Sequence, residues 1–378
     1  MTATITERNV CGLRWLTVTG HRDAAFRALG RLAHAEIRAV LAQLPESASL
    51  RRYAATPGGQ TALASGLQAA RSAHPREFAE LRALAEGARL ELEALLLANL
   101  RADLGGDDGI GCSDLGWRRA RSYVAHNEDA APALQSRLVL LTLIIDGDAP
   151  VTTQWYPGFL PANTFAITGH GLVCAVTHIP AATPARAAGR HFVARGLHQA
   201  PSLDAALHYL RSHPSAGGFG YTIGEFATGR VVSIEAVAGR VSGVEADPVT
   251  TPLLWHTNHA RHLPPPNRSG PTPARPCTTT IVTARARAMH RLGAPDESIA
   301  RGRLLDALEP PAHEPEVSWF LRILTGSPAP HGVYRSADDD DPLMTLCTSV
   351  ADLATRAVTL QPRDNNPTTL ALKDLTSA

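Results

Sequence analysis

The period of the apolar positions changes along the chain, and those changes divide it. From Ala24 to Leu44, Phe26, Leu29, Leu32, Ile37, Val40, Leu41 and Leu44 recur at helical spacing. From Arg76 to Arg101 a second helical pattern carries Phe78, Leu81, Leu84, Leu92, Leu95, Leu96 and Leu100, with Gly87 lowering the propensity inside it. The segment up to Leu104 therefore reads as helical. Leu104-Gly-Gly-Asp-Asp-Gly-Ile-Gly-Cys then breaks the pattern, and strand-like runs follow at Ser122–His126, Arg137–Ile145, Val151–Tyr156, Thr164–Thr168 and Leu172–His178. Helices are expected near Ala188–His198 and Leu203–Arg211, the second capped by Ser202. Strands resume at Phe219–Phe226, Val231–Val237, Arg240–Val244 and Leu253–His256. The proline-rich stretch His262–Pro276 reads as a surface excursion near the site. Helices from Ile281 to Leu324 and a strand pair, Thr345–Ala351 and Arg356–Leu360, close the chain. Helices, strands, helices and strands in that order predict an α+β protein whose antiparallel sheets are covered by helices.

Composition narrows the functional classes. Hydrophobic residues make up 44% and charged residues 19% of the 378, a globular balance. A formal net charge of +1 gives no electrostatic case for nucleic acid or an anionic membrane, and Lys373 is the only lysine. The opening Met1–Val10 is polar, without the apolar stretch of a signal peptide, and the apolar run Leu138–Ile145 is too short to span a bilayer. The five cysteines, Cys11, Cys112, Cys174, Cys277 and Cys347, are odd in number and scattered. That argues against a disulfide framework or structural zinc site and for a reducing cytoplasm. Asp338–Asp341 reads as a solvated charge run. No GxGxxG, P-loop or GxSxG pattern appears, so neither a nucleotide cofactor nor a serine elbow is expected.

Three places carry candidate chemistry. Cys112 directly follows Gly109-Ile110-Gly111, at the point where helices give way to strands. Gly111 lets its carbonyl be approached closely, the condition for attack by the Cys112 thiol on the preceding peptide bond. Cleavage there would leave Cys112 with both a thiol nucleophile and a free α-amine, whose pKa of about 7.7–8.0 suits a general base. An ordinary buried cysteine is the competing reading. His126-Asn127-Glu128-Asp129 ends the next strand, where Asp129 is placed to orient the new amine; a plain polar strand exit explains the same residues. His256-Thr257-Asn258-His259 follows an apolar strand, and the Asn258 amide is a neutral donor suited to an oxyanion. His256 and His259 invite a zinc reading, but no HExxH pattern or cysteine cluster supports it.

Taken in order, Ala85-Glu86-Gly87, Gly111-Cys112-Ser113, His126-Asn127-Glu128-Asp129, Tyr156-Pro157-Gly158, Gly169-His170-Gly171-Leu172 and His256-Thr257-Asn258-His259 resemble the acyl-coenzyme A:6-aminopenicillanic acid acyltransferase family. N-β-alanyl-dopamine hydrolases belong to the same group. The resemblance covers most of the chain, from about Gly20 to Leu360. It implies the four-layer αββα sandwich of the N-terminal-nucleophile hydrolases, with a helical N-terminal segment. It also implies a precursor that cuts itself into chains 1–111 and 112–378, which stay together as one compact domain. Carried onto this chain, Cys112 is the nucleophile, Asp129 the supporting acid, Asn258 the oxyanion donor and Gly111 the residue whose carbonyl is attacked. His126, Asn127, Glu128, His256 and His259 are the supporting or substrate-binding candidates. The penicillin enzyme's Ser-Arg-Gly before the last strand pair is replaced by Asp340-Asp341-Pro342-Leu343-Met344-Thr345, which leaves Arg335 to supply a cation, and the serine that follows a strand glutamate is absent after Glu235.

The expected activity is hydrolysis of a small N-acyl or aminoacyl amide through a thioester on Cys112, with Glu128 and Asp129 attracting a substrate ammonium. Acyl transfer to an amine is the alternative, and an inactive scaffold that kept the fold is a second one. No metal and no cofactor are expected. The expected partners are a small-molecule amide and the two cleaved chains for each other, with neither nucleic acid nor membrane.

Overall fold

A computed structural model describes residues 2–104, 111–264, 294–337 and 341–377. Two strands, β1 (Thr4–Val10) and β2 (Leu13–Gly20), precede the helical part. The expectation that the whole N-terminal segment is helical is corrected here. Thr4-Ile5-Thr6 and Leu16-Thr17-Val18 alternate with a period of two, and β-branched residues suit a pleated surface. Six helices follow: α1 (Arg22–Leu32), α2 (His34–Gln43), α3 (Ser47–Ala54), α4 (Pro57–Ala73), α5 (Pro75–Ala88) and α6 (Leu92–Asn99). Thr56 caps α4 by accepting from Gly59 N at 3.1 Å, with Pro57 at the first helical position. The expected helix Arg76–Arg101 is two helices, because Arg89 takes a left-handed φ of 53° that ends α5. Gly87 has a packing reason. A Cβ on it would lie 2.1 Å from Arg27 O, and one on Gly30 would lie 2.2 Å from Leu84 O, so the two glycines let α1 and α5 touch backbone to backbone.

The strands β3 (Ser113–Arg118), β4 (Ser122–Ala130), β5 (Val139–Ile145), β6 (Val151–Trp155), β7 (Ala166–Thr168) and β8 (Leu172–His178) come next. After α7 (Arg190–Leu197) and α8 (Leu203–Ser212) run β9 (Gly218–Glu225), β10 (Val231–Val237), β11 (Arg240–Glu245) and β12 (Leu253–His256). The Ser202 hydroxyl caps α8, accepting from Ala205 N at 3.2 Å. The chain closes with α9 (Ala294–Asp306), α10 (Val317–Thr325), β13 (Met344–Asp352), β14 (Ala357–Pro362), β15 (Thr368–Ala371) and α11 (Leu372–Thr376). The proline-rich excursion from 265 onward, Cys277 and the first part of the expected helix Ile281–Leu324 lie outside the described residues. Among the described residues, no helix is long and apolar enough to cross a membrane.

The strands form a nine-stranded sheet in the order β1-β2-β5-β6-β7-β8-β9-β10-β11 and a six-stranded sheet in the order β12-β3-β4-β13-β14-β15. Neighbours are antiparallel except β2 and β5, which run parallel with Trp15 opposite Leu140. The run of β5, apolar except for Thr142, fits that interior position, buried on both faces. Helices α1, α2, α5 and α6 cover one end of the outer face of the large sheet, with Phe26, Leu29, Leu81 and Leu95 packed on Leu16, Val18 and Leu141. Helices α7 and α8 cover the other end, over Cys174, Val176 and Ile223. The two sheets face each other through Trp15, Val124, Leu140, Val173, Val231, Leu254 and Val358. Helices α9 and α10 close the far side, placing Leu305, Phe320 and Leu324 on Leu115, Trp117 and Val350. The layers are helix, sheet, sheet and helix, the four-layer αββα sandwich the resemblance implies. Because β2 is built into the large sheet, residues 2–104 are part of the core and not an appendage.

Candidate active site

Cys112 stands at the N-terminal edge of β3, buried, with a φ of 84°. A residue with a Cβ is strained in that region, so the backbone at the Gly111–Cys112 junction stores energy that cutting the bond would release. Gly111 permits the approach: a Cβ on it would lie 2.5 Å from Asp129 Cβ. Both sides of the peptide are held. The Gly111 carbonyl accepts from Asn258 Nδ2, which also donates to His178 O at 3.0 Å. The Cys112 N–H donates to Asp129 Oδ2 at 2.9 Å, while the Thr345 hydroxyl donates to Asp129 Oδ1 at 2.7 Å. A carbonyl polarised by an amide donor beside a thiol is the geometry an acyl transfer at that carbon requires.

Asn258 is oriented by a residue that sequence reasoning missed. Arg301, on α9, donates through Nη2 to Asn258 Oδ1 at 2.6 Å and through Nη1 to Cys112 O at 2.6 Å. A guanidinium has only donors, so it fixes the amide oxygen towards itself and the amide N–H₂ towards Gly111. Glu297 one turn earlier pairs with Arg301 at 2.6 Å and with Arg335 at 2.5 Å. The one signal for it in the sequence is that Glu297–Arg301 spacing of four on a helix. Arg335 is not in the cleft wall. It forks onto Asp341 at 2.6–2.9 Å, so Asp341 is an ion-pair partner and not part of a solvated run; Asp338–Asp340 lie outside the described residues.

The tetrad His126-Asn127-Glu128-Asp129 lies inside β4, which continues to Ala130, and all four residues are buried. The expected strand exit is corrected: each polar group has a partner, so the strand does not need to leave the core. His126 Nδ1 meets Asp114 Oδ1 at 2.7 Å and its Nε2 meets Glu128 Oε2 at 3.0 Å. Burial opposes a charge on this ring, but the hydrogen bonds and charges of Asp114 and Glu128 outweigh it and raise the pKa to about 10. Glu128 Oε1 accepts from Tyr156 Oη at 2.9 Å, and its Oε2 lies 4.0 Å from Cys112 Sγ. Asn127 is spent on structure, donating to Leu324 O at 2.7 Å and accepting from Thr348 at 2.6 Å. Burial pushes the Asp129 carboxyl up to about 6, against the pull of Arg335, Arg301, Thr345 and the Cys112 N–H. Burial, then the charges of Glu128 and Asp129, push the Cys112 thiol well up, so it rests protonated and needs a base.

The two other candidate histidines, His256 and His259, are not among the residues lining the cleft over Cys112. His256 bridges the sheets, meeting Thr177 Oγ1 at 2.7 Å and Glu235 Oε1 at 3.2 Å. His259 meets Ser298 Oγ at 2.9 Å on α9, and burial lowers it to about 4. They turn to separate partners and do not converge as a zinc pair. Among the described residues, the His, Cys and acidic groups whose ligand atoms gather within 4.8 Å are Cys112, His126 and Glu128. Both ring nitrogens of His126 already face carboxylates, which suits a proton chain better than a metal. The cleft over Cys112 spans about 720 Å³ including its open mouth; Leu44, Phe159, Val176 and Phe219 supply apolar wall, and Arg101 and His178 supply polar edge. Leu44 and Arg101 come from the N-terminal segment.

The sequence model of the acyl-coenzyme A:6-aminopenicillanic acid acyl-transferase family matches residues 117–367, beginning just after Gly111 and Cys112. No curated protein matches the chain. Among solved structures it is similar to penicillin V acylase from Agrobacterium tumefaciens, at 11% identity and a TM-score of 0.41, over 70% of this chain and 88% of that one. A variant of conjugated bile acid hydrolase from Clostridium perfringens is similar at 11% identity and a TM-score of 0.41, over 70% and 94%. The family match spans more than half of the chain and so decides the matter: the chain belongs to the acyl-coenzyme A:6-aminopenicillanic acid acyl-transferase family of enzymes.

Proposed function

We propose that the chain is a precursor that cuts its own Gly111–Cys112 bond and then hydrolyses a small N-acyl or aminoacyl amide through a thioester on Cys112. The observation that carries this reading is the clamped peptide, with its carbonyl on Asn258, its N–H on Asp129 and a strained φ of 84° at Cys112. After cleavage the Cys112 nitrogen is a free amine. In turnover it takes the thiol proton, Sγ attacks the substrate carbonyl, and Asn258 holds the oxyanion where it held Gly111 O. The amine then protonates the leaving group, and water resolves the thioester. Asp129 and Thr345 keep the new terminus in place, and Arg301 keeps Asn258 turned. Chains 1–111 and 112–378 stay together on this reading, because β2 pairs with β5 and the first chain lines the cleft. The unpaired Cys11, Cys112, Cys174 and Cys347 support a reducing, cytoplasmic setting.

Glu128 and Asp129 are already engaged by His126, Tyr156, the Cys112 N–H and Thr345, so they do not favour a substrate ammonium as the sequence suggested. The apolar wall favours an acyl half with hydrocarbon or aromatic character instead. Acyl transfer, the activity in the family's name, differs only in the group that resolves the thioester. A panel of N-acyl amines, assayed with and without amine acceptors and coenzyme A thioesters, separates the two. Hydrolysis of an amide with water alone is the expected result. Strict dependence on a thioester donor would make the protein an acyltransferase.

A further inference from the structure

Before the Gly111–Cys112 bond is cut, the Cys112 nitrogen is an amide and has no basicity. The base that serves turnover is therefore missing from the maturation step, and the thiol must lose its proton to something else. Two carboxylates lie close. Asp129 turns its carboxylate to the Cys112 N–H and the Thr345 hydroxyl, and only its backbone oxygen faces the thiol, 4.0 Å from Sγ. Glu128 turns its carboxylate to the thiol, with Oε2 4.0 Å from Sγ. Behind it runs a buried chain across adjacent strands: Glu128 Oε2 to His126 Nε2 at 3.0 Å and His126 Nδ1 to Asp114 Oδ1 at 2.7 Å, with Asp114 opposite His126 in the β3–β4 register. Tyr156 Oη steadies the other oxygen of Glu128 at 2.9 Å. Two buried carboxylates around one histidine are expensive to desolvate.

We propose that Glu128 is the general base of maturation, with His126 and Asp114 as the positioning pair behind it; this rests on the self-processing reading above. Glu128 takes the proton from Cys112 Sγ, and the thiolate attacks the Gly111 carbonyl carbon. The oxyanion sits on Asn258 Nδ2. As the C–N bond breaks, the proton held on Glu128 passes to the departing Cys112 nitrogen, leaving a Gly111 thioester on Sγ and a free amine. Water then releases the Gly111 carboxylate and restores the thiol. The first proton transfer is one that the mature enzyme assigns to its own amine, so Glu128 acts as base once per molecule.

The test follows conversion of freshly folded precursor to two chains by mass. Glu128→Gln, which keeps the shape and hydrogen-bonding capacity of the side chain, is expected to mature about a hundredfold more slowly, the usual worth of a general base. Glu128→Ala opens space at the cleft wall, so added formate is expected to speed its maturation while chloride at equal ionic strength does not. His126→Gln, which retains an N–H for Glu128, is expected to mature faster than His126→Ala. Glu128→Gln maturing at the wild-type rate, or Glu128→Ala failing to respond to formate, overturns the assignment. If Glu128→Gln misfolds, equal rates for the two His126 variants overturn it. A wild-type chain that never cuts removes the self-processing reading itself, whereas a wild type and a Glu128→Gln variant that cut equally fast remove only this one.

Discussion

Cys112→Ala is expected to give a folded, single-chain protein with no amidase activity. In the proposed function the thiol serves twice, attacking Gly111 in the precursor and the substrate in the mature enzyme, so its loss removes both steps. The fold should survive: the side chain is small, its Sγ hydrogen bonds are two long ones of 4.0 Å, and alanine leaves little cavity. Cys112→Ser is expected to cut slowly, since an alcohol is far less nucleophilic near neutrality. Two other described thiols, Cys174 and Cys347, have no such place. Cys174 lies in β8 with its pKa pushed up to about 12 by burial, and Cys347 lies in β13 among apolar neighbours. Their alanine variants are expected to mature normally. Electrophoresis and thermal melting check all four variants. Cleavage by Cys112→Ala, or its loss on replacing Cys174 or Cys347, moves the nucleophile elsewhere.

Asn258→Ala is expected to lower kcat by about 10² to 10³, or some 3–4 kcal/mol of transition-state stabilisation, with a smaller effect on KM. The amide N–H₂ already touches the Gly111 carbonyl, which the proposed maturation attacks, so the same variant should also mature more slowly. Arg301→Met tests the same donor through its holder. With the guanidinium gone, nothing among the contacts described keeps the Asn258 oxygen turned away from the cleft, and Glu297 loses one of its two arginines. A change in KM alone, with kcat intact, would show that Asn258 binds substrate without stabilising the oxyanion.

Much of the αββα layering is legible in the sequence, because buried strands leave an unmistakable pattern. Leu172–His178, Val231–Val237 and Leu253–His256 can be read with their observed bounds. The N-terminal strands escape such a reading because Thr4–Val10 is a largely exposed edge strand whose polar face looks like an unstructured start. Helix α4 escapes it because Ser, Gly and Ala dominate it, and α3 because its eight residues bury only Leu50 and Ala54. At the site, Cys112, Asp129 and Asn258 are readable as residues in order along the chain, and the structure gathers all three around one peptide bond. The engagement of Glu128 by His126 is not readable, since a pair two residues apart on one strand face gains its meaning only from Asp114 on the next strand. Arg301 is hidden for the same reason: its partners Cys112 and Asn258 are 189 and 43 residues away.

Every proposed step depends on cleavage between Gly111 and Cys112. Intact-mass analysis of the purified wild-type protein, folded and held at neutral pH, tests it most directly. The expected result is two polypeptides, residues 1–111 and 112–378, that elute together under native conditions and separate on denaturation. A single species with the mass of the whole chain, unchanged after long incubation, contradicts it.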